Sequence, residues 1–231
     1  MVQPQLIIGI CGGSGSGKTT FVRQVLDQVP AEQVALLELD AYFKNRSELP
    51  RLADGTENWD HPDSLDLPLF NQHLGQLSVG VSVDRPVYDF ATHRRQQETV
   101  LIEPAPVLIL EGVLLLATEA VRSQLNLIVY LDVAADVRLV RRLRRDILER
   151  GRTPESVLDQ YQQTVGPMHH EFVEPGRHYA HVIVPWHCHN LQAVELLSAQ
   201  VRSVGPAGSC SRIEERLKNG AAPTDRDETA V

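Results

Sequence analysis

A glycine-rich stretch near the N-terminus carries the residues best suited to phosphate chemistry. Gly12 to Thr19 reads GGSGSGKT, which matches the pattern G-x-x-x-x-G-K-T. The glycines let successive backbone N–H groups turn toward phosphate oxygens, and a following helix points its N-terminus at the same anion. The lysine can reach the β and γ phosphates of a nucleotide, and the Thr19 hydroxyl can bind Mg²⁺. The pattern predicts a nucleotide phosphate site made of Gly12, Gly13, Ser14, Gly15, Ser16, Gly17, Lys18, Thr19 and Thr20.

Three acids each close an apolar run. Asp40 follows VALLEL, Glu111 follows VLIL and Asp132 follows LIVYL. In an open parallel sheet, ligands collect at the carboxyl ends of the strands, so each acid is a candidate for the site. Glu111 has no helix to cap, and we interpret it as a metal-facing carboxylate. Asp40 could orient or deprotonate an attacking hydroxyl, whereas Asp132 precedes a helical stretch and is explained as its N-cap.

Seven arginines and no lysine occur between Arg138 and Arg152. We interpret Arg138, Arg141 and Arg144 as a solvated helix face. Arg150 and Arg152 flank a glycine after the helix, where a mobile lid could bring their guanidinium groups onto a transferring phosphoryl group. Such a clamp stabilises negative charge in the transition state and excludes water.

The stretch NWDHPDSLD, residues 58–66, holds three aspartates beside a tryptophan. It is either a polar surface turn or a pocket for a small molecule rich in hydroxyl groups. A carboxylate can accept hydrogen bonds from two adjacent hydroxyls, and aromatic rings pack against a flat base. For His61, Asp63 and Asp66, capping of the loop and of the next helix is the stronger interpretation.

The elements that must position these residues alternate between strands and helices. Apolar runs predict strands at residues 6–10, 34–39, 107–110, 127–131 and 181–184. Helical periodicity predicts helices at residues 18–29, 66–77, 134–150, 154–165 and 190–203. This order indicates an α/β fold with a doubly wound, mainly parallel sheet. Residues 79–102 break the rhythm and predict a small antiparallel β insertion, and the tail from residue 205 to 231 is predicted to be disordered.

Composition limits the class of protein. A chain of 231 residues with 42% apolar residues can bury one good core, here in a single domain over residues 1–204. The net charge of −8 argues against a nucleic-acid partner. The N-terminal apolar run is too short for a signal peptide or a membrane span, and the three cysteines are few and far apart. We therefore expect a cytoplasmic protein with free thiols and no membrane association.

The chain contains, in this order, the phosphate loop, Asp40, NWDHPDSLD, VYDFATHRR, LILEG, ERGRTPESVLDQY and PMHHEFVEP. Together these motifs resemble those of the uridine (uridine-cytidine) kinase family of P-loop kinases. The resemblance runs from about Ile7 to Val204. It implies a P-loop NTPase fold with an arginine-bearing lid at about residues 150–175. It also implies phosphorylation of uridine and cytidine at the 5′-hydroxyl in pyrimidine salvage, a nucleoside triphosphate donor with Mg²⁺, and a homo-oligomer, often a tetramer.

The resemblance also implies roles for individual residues. Asp40 corresponds to the catalytic base, with Lys18, Arg150 and Arg152 assisting phosphoryl transfer. The magnesium shell corresponds to Thr19 and Glu111, with Asp40 near the metal. The nucleoside site corresponds to Asp60 for the ribose hydroxyls, Trp59 beside it, Tyr88, Phe90 and His93 as the wall for the base, and Arg142, Arg145 and Gln160 around the ribose and phosphate.

The chain departs from the family pattern at a few positions. Phe43 stands where tyrosine is frequent, Gly166 where lysine is common, and His181 where aspartate is usual. The turn after the last strand is Pro185-Trp186-His187-Cys188 instead of PRGG, which leaves ATP and GTP both open as the donor. Histidines are frequent between residues 169 and 189, and a zinc site there is the minor alternative to scattered surface histidines.

Two other functions remain open from the residues alone. One is a related kinase acting on phosphoribulose, nicotinamide riboside or pantothenate, because one P-loop frame hosts many acceptors. The other is a nucleotide-gated regulatory module with little turnover. The loop at residues 58–66 favours a nucleoside over a sugar phosphate, and the retention of Lys18, Asp40, Glu111 and the lid arginines favours an enzyme.

Overall fold

A five-stranded parallel sheet lies at the centre of the protein. A computed structural model describes residues 2–205. The strands are β1 (Leu6–Cys11), β2 (Val34–Glu38), β5 (Val107–Glu111), β6 (Leu127–Asp132) and β7 (Val182–Pro185), and their order in the sheet is β2-β5-β1-β6-β7. Each pair of neighbours is parallel, with Ile8 opposite Ile109 at the centre. All five predicted strands are confirmed.

Helices cover both faces of this sheet. They are α1 (Lys18–Leu26), α2 (Leu67–Ser78), α3 (Glu119–Arg122), α4 (Ala135–Arg150), α5 (Pro154–Gln160), α6 (Gly166–Met168) and α7 (Leu191–Ser203). Because strand side chains alternate, Leu108 and Leu110 of β5 enter one apolar core and Val107 and Ile109 enter the other. The α/β class and the doubly wound parallel sheet are therefore confirmed.

The strands β3 (Val83–Asp89) and β4 (Arg94–Ile102) form a separate antiparallel sheet. They lie within residues 79–102, where the sequence predicts a β insertion. Arg95 holds the hairpin to the main body, because its guanidinium donates to Asp66 and to the carbonyls of Tyr42 and Phe43. The hairpin thus brings the residues at its turn toward the carboxyl ends of the strands.

The helical region after residue 154 is longer than the sequence predicts. We expect the helix to end at residue 165, before Gly166 and Pro167, but wide helical turns at Tyr161–Val165 and His169–Val173 continue it to a final tight turn at Glu174–Tyr179. The Gly166 N–H donates to the Tyr161 carbonyl, five residues back. Such widened turns accommodate a proline that would break a regular helix. That this region moves as a lid stays a prediction.

The prediction that Asp132 caps α4 is wrong. The N-cap position of α4 is Ala134, and no side chain caps that helix end. Asp132 is the last residue of β6, and its carboxylate accepts a hydrogen bond of 3.0 Å from Arg177. The caps predicted from His61 and Asp66 are confirmed, since His61 Nδ1 accepts from the Asp63 N–H and Asp66 Oδ1 accepts from the Leu69 N–H.

Two cysteines of the described chain, Cys11 and Cys188, are free thiols, as the sequence predicts. Among residues 2–205, no helix has the length and apolarity needed to cross a membrane. The tail that the sequence predicts to be disordered lies, from residue 206 onward, outside the described residues.

Candidate active site

The phosphate loop lies between β1 and α1, and its shape depends on glycine. Gly12, Gly15 and Gly17 have φ angles of +143°, +77° and +91°, which residues with a Cβ rarely adopt. A Cβ at Gly15 would also collide with the main chain of Arg138. The loop is closed by a 3.0 Å hydrogen bond from the Ser16 N–H to the Gly13 carbonyl. Backbone N–H groups are therefore concentrated at the N-terminus of α1, as an anion requires.

Lys18 is the first residue of α1 and points back along the loop. Its ammonium group is buried and donates a 3.3 Å hydrogen bond to the Gly13 carbonyl. Burial lowers the pKa of Lys18 from its ordinary value, and the nearby carboxylates of Glu111 and Asp40 oppose that change. The charge of Lys18 is thus placed between the loop and these two acids.

Thr19 and Glu111 meet across the ends of α1 and β5. The Thr19 hydroxyl lies 3.2 Å from each carboxylate oxygen of Glu111. Burial raises the pKa of Glu111 to about 7, Lys18 opposes this, and the charges of Asp40 and Glu38 add to it. A buried carboxylate beside a hydroxyl and a second acid is a set of hard oxygen ligands of the kind that Mg²⁺ prefers. Thr19, Glu111 and Asp40 therefore fit a magnesium ion.

Asp40 lies in a short helical turn, Leu39–Tyr42, directly after β2. It lines the same cavity as Lys18, Thr19 and Glu111. Of the phosphate loop, Ser14 and Gly15 also line the cavity, and Gly12, Gly13, Ser16 and Gly17 form the turn behind them. Thr20, which the sequence also predicts to bind the nucleotide, is an exposed residue of α1 and does not line this cavity. The acids that end separate strands are thus brought together, as the parallel sheet predicts.

Aromatic rings form the opposite wall of this cavity. The rings of Trp59 and His93 are tilted by 36° with centroids 4.7 Å apart, and the Tyr88 ring lies 5.4 Å from that of Phe43 and 5.1 Å from that of Phe90. The Tyr88 hydroxyl is buried and has no hydrogen-bond partner within residues 2–205. The wall therefore offers flat apolar surface together with a free polar group, which suits a planar heterocycle.

A chain of polar contacts joins the aromatic wall to the phosphate loop. Asp60 Oδ2 accepts hydrogen bonds from Gln160, at 3.0 Å, and from Thr164, at 2.8 Å. The Gln160 oxygen accepts from Arg142, at 2.9 Å, and also from Arg152. Arg142 in turn donates to the Ser14 hydroxyl at 2.8 Å. The two ends of the cavity are therefore held in a fixed relation to each other.

The arginines predicted to act in the site do reach the cavity. Arg142, Arg145, Arg150 and Arg152 all line it, and the Arg150 guanidinium lies 4.4 Å above the Phe90 ring. Burial, together with the charge of Arg145, lowers the pKa of Arg150 to about 10. The cavity is thus lined by acids and a lysine, by arginines and by aromatic rings.

The interpretation of Arg138 as a solvated residue is wrong. Its side chain is buried beneath the phosphate loop, where Nε donates to the Val133 carbonyl at 3.1 Å and a terminal nitrogen lies 3.1 Å from His169 Nε2. Arg141 is also not free, because it donates to the carbonyls of Trp186 and His187. Only Arg144 is exposed as expected. Arg138 can be buried there because Gly13 and Gly15 have no Cβ, and a Cβ at either position would collide with Arg138.

The histidines between residues 169 and 189 contact different parts of the chain. His170 pairs with Glu174, whereas His181 Nδ1 accepts from the Ile128 N–H. Among the described residues, no group of three or more His, Cys, Asp or Glu side chains is placed to hold a metal ion. His169, which lines the cavity, is a site residue that sequence reasoning missed. Its position in PMHH carries no signal that separates it from the neighbouring histidine.

Comparisons with known proteins agree with this geometry. A family model described as Phosphoribulokinase / Uridine kinase family matches residues 7–193. A uridine kinase from Deinococcus deserti is 46% identical over 197 residues, which are 85% of this chain and 95% of that protein. A uridine kinase from Halalkalibacterium halodurans is 43% identical over 199 residues, 86% of this chain and 94% of that protein.

Solved structures with lower sequence identity share the fold. A possible uridine kinase from Bacillus stearothermophilus has a TM-score of 0.51 at 22% identity, covering 79% of this chain and 90% of that one. Phosphoribulokinase from Rhodobacter spheroides has a TM-score of 0.59 at 16% identity, covering 77% of this chain and 68% of that one. With a family model over residues 7–193 and relatives above 40% identity over most of its length, the chain belongs to the phosphoribulokinase / uridine kinase family.

Proposed function

We propose that this protein transfers the γ-phosphoryl group of ATP to the 5′-hydroxyl of uridine, and of cytidine, giving the nucleoside monophosphate for pyrimidine salvage. The relatives that cover most of the chain are named uridine kinase. The single observation that carries the proposal is that one cavity combines a phosphate loop with a wall of aromatic side chains. Its wall joins the phosphate loop at Lys18 and Thr19 to the aromatic residues Trp59 and Tyr88.

Asp40 is the residue proposed to accept the proton of the attacking hydroxyl. It lines the same cavity as the phosphate loop and the aromatic residues. Its charge raises the pKa of Lys18, Glu111 and Arg150, which shows that it lies close to all three. As the nucleoside O5′ attacks the γ-phosphorus, its proton passes to the Asp40 carboxylate. The bond from the γ-phosphorus to the bridging oxygen breaks, and ADP leaves.

The remaining charged groups act on the phosphates. The transition state of phosphoryl transfer spreads negative charge over the equatorial oxygens of the γ-phosphoryl group. Lys18, in the phosphate loop, neutralises the β and γ phosphates. Arg150 and Arg152, at the end of α4, approach the transferring group. Thr19, Glu111 and Asp40 would hold Mg²⁺, which would supply further neutralisation of the phosphate charge.

The nucleoside is held at two places. Asp60 accepts hydrogen bonds from the ribose hydroxyls, and the network from Gln160 to Arg142 fixes the orientation of that carboxylate. The base lies against Tyr88, Phe90 and His93, with Trp59 beside the sugar. Burial and the charge of Arg152 lower the pKa of His93, which favours the neutral imidazole. A neutral ring can both donate and accept hydrogen bonds at a pyrimidine edge.

ATP is the proposed donor, with GTP as the alternative that the Trp186 turn leaves open. A homo-oligomeric, tetrameric state stays a prediction from the family resemblance, and a cytoplasmic location stays a prediction from the short N-terminal apolar run and the few cysteines.

The test is steady-state phosphoryl transfer with Mg²⁺, using ATP or GTP and a panel of acceptors. The acceptors are uridine, cytidine, adenosine, nicotinamide riboside, pantothenate and ribulose 5-phosphate. Turnover confined to uridine and cytidine is the expected result. Turnover with another acceptor alone would overturn the nucleoside assignment, and none with any acceptor would favour a regulatory module.

A further inference from the structure

Asp146 is a carboxylate to which the proposed mechanism gives no role, and its side chain is fully buried. It lies on α4, four residues after Arg142 and four before Arg150, so all three side chains share one helix face. Four guanidinium groups surround it. The nitrogen-to-oxygen distances to its carboxylate are 2.8 Å for Arg145, 3.4 Å for Arg150, 3.6 Å for Arg142 and 3.7 Å for Arg152.

The charges in this cluster do not balance. One carboxylate faces four guanidinium groups, so three positive charges remain in excess, and all four arginines line the cavity. Like charges at this spacing repel each other unless an opposite charge holds them. A buried carboxylate is in turn costly unless it is paired. Asp146 therefore keeps the arginines together and leaves part of their positive charge free to meet an anion, in a cavity whose wall also carries Asp40, Asp60 and Glu111.

The arginines depend on Asp146 to different degrees. Arg142 and Arg152 have further partners, because both donate to Gln160 and Arg142 also donates to Ser14. Arg145 Nε donates a 2.9 Å hydrogen bond to Asp146 Oδ1, and within residues 2–205 the Arg145 side chain makes no other hydrogen bond. Arg150 has the Asp146 ion pair and the Phe90 ring. Loss of the Asp146 charge would thus release mainly Arg145 and Arg150.

The main chain of Asp146 acts in the same direction. Its carbonyl accepts hydrogen bonds from the N–H groups of Gly151 and, at 3.1 Å, Arg152. Gly151 has a φ of +64°, the left-handed conformation in which helices commonly end. The point where α4 stops, and the direction in which Arg152 leaves it, are therefore fixed at Asp146.

We propose that Asp146 is a positioning residue for phosphoryl transfer: it holds Arg145 and Arg150 where the transferring phosphoryl group passes, and it does not touch the substrate. This inference rests on the proposed kinase activity. A displacement of about 1 Å in a positioned group can cost about a hundredfold in rate, so a carboxylate that only orients arginines can have a large effect on turnover.

The test is a double-mutant cycle between Asp146→Asn and Arg145→Ala. The asparagine keeps the shape of the side chain and removes its charge. We expect kcat to fall about tenfold or more in Asp146→Asn, with the KM for uridine changed by less than about threefold. If Asp146 acts through the arginines, the combined loss in the double variant is at least about fivefold smaller than the product of the single losses.

Two outcomes would overturn the proposal: a kcat of Asp146→Asn within about twofold of wild type, or losses that simply multiply in the double variant. Asp136→Asn is the matched control, because it makes the same change at an exposed position of α4 and is expected to leave kcat unchanged. Thermal unfolding checks that each variant is folded. Should Asp146→Asn not fold, Asp146→Ser, which also removes the carboxylate charge, takes its place in the same cycle.

The cycle is run with whichever acceptor the wild-type protein phosphorylates, or with the hydrolysis of ATP if no acceptor is phosphorylated. A wild-type protein that does not phosphorylate uridine therefore overturns the proposed acceptor, and the cycle still decides on Asp146.

Discussion

The change of Asp60 to asparagine tests the proposed ribose site with little disturbance of its surroundings. Gln160 and Thr164 both donate to Asp60 Oδ2. Within residues 2–205 no side chain donates to Asp60 Oδ1, so this oxygen is available to accept a hydrogen bond from a ribose hydroxyl. Asparagine has the same shape, and its oxygen can still accept from Gln160. The network that continues to Arg142 and Ser14 therefore stays in place.

The magnitude follows from the loss of one hydrogen bond to a charged acceptor. Such a bond is worth about 1.5–3 kcal/mol, which corresponds to a rise of about tenfold to a hundredfold in the KM for uridine. The KM for ATP should change by less than about twofold, because within residues 2–205 the hydrogen bonds to the Asp60 carboxylate come from Gln160 and Thr164 and none comes from the phosphate loop. Release of ADP, followed in a coupled assay, measures both constants.

A second substrate makes the assay sharper. Wild-type protein should prefer uridine to 2′-deoxyuridine, and Asp60→Asn should lose most of that preference, because the discriminating contact is gone. The control is Asp63→Asn, the same change in the same loop at an exposed position. An unchanged KM for uridine, or an equal rise for uridine and ATP, would refute the assignment of Asp60 to the ribose.

Three further predictions concern other parts of the cavity. Asp40→Asn should lower kcat by about a hundredfold or more while ATP binding, measured by calorimetry, stays nearly intact, because a general base is lost. Gly15→Ala should destabilise the protein by about 1–3 kcal/mol and weaken ATP binding, because a Cβ there is strained and collides with Arg138. Burial and the charge of Arg138 lower the pKa of His169 to about 4, so the unfolded chain binds a proton that the folded chain does not between about pH 6.5 and 4. Stability is therefore lost as the pH falls through this window, and His169→Gln should lose less stability in urea unfolding between pH 7.5 and 5.

Each of these has a matched control. Near-normal turnover of Asp40→Asn would remove Asp40 from the role of base. Gly55→Ala shares the positive φ without any neighbour within 4 Å, so a cost as large as that at Gly15 would show that the collision with Arg138 is unimportant. His178→Gln, at an exposed site, should follow the wild-type pH dependence, and an identical result for His169→Gln would contradict the burial argument.

Local patterns in the sequence determined most of the fold and the composition of the site. Apolar runs and helical periodicity predict the five parallel strands, because each reflects burial on both faces of a sheet or on one face of a helix. The phosphate loop can be recognised in the sequence because its glycines adopt positive φ angles that other residues avoid. Asp40 and Glu111 could be placed at one edge because parallel strands all end on the same side of a sheet.

Only the tertiary structure decided which arginines are buried and what holds them. In the sequence Arg138, Arg142 and Arg144 look alike, but the docking of α4 against the phosphate loop buries Arg138 and exposes Arg144. Asp146 looks like any acid on an arginine-rich helix, and its role follows from four side chains converging on it. Periodicity describes the faces of one helix, whereas burial and charge pairing depend on which other element that face meets.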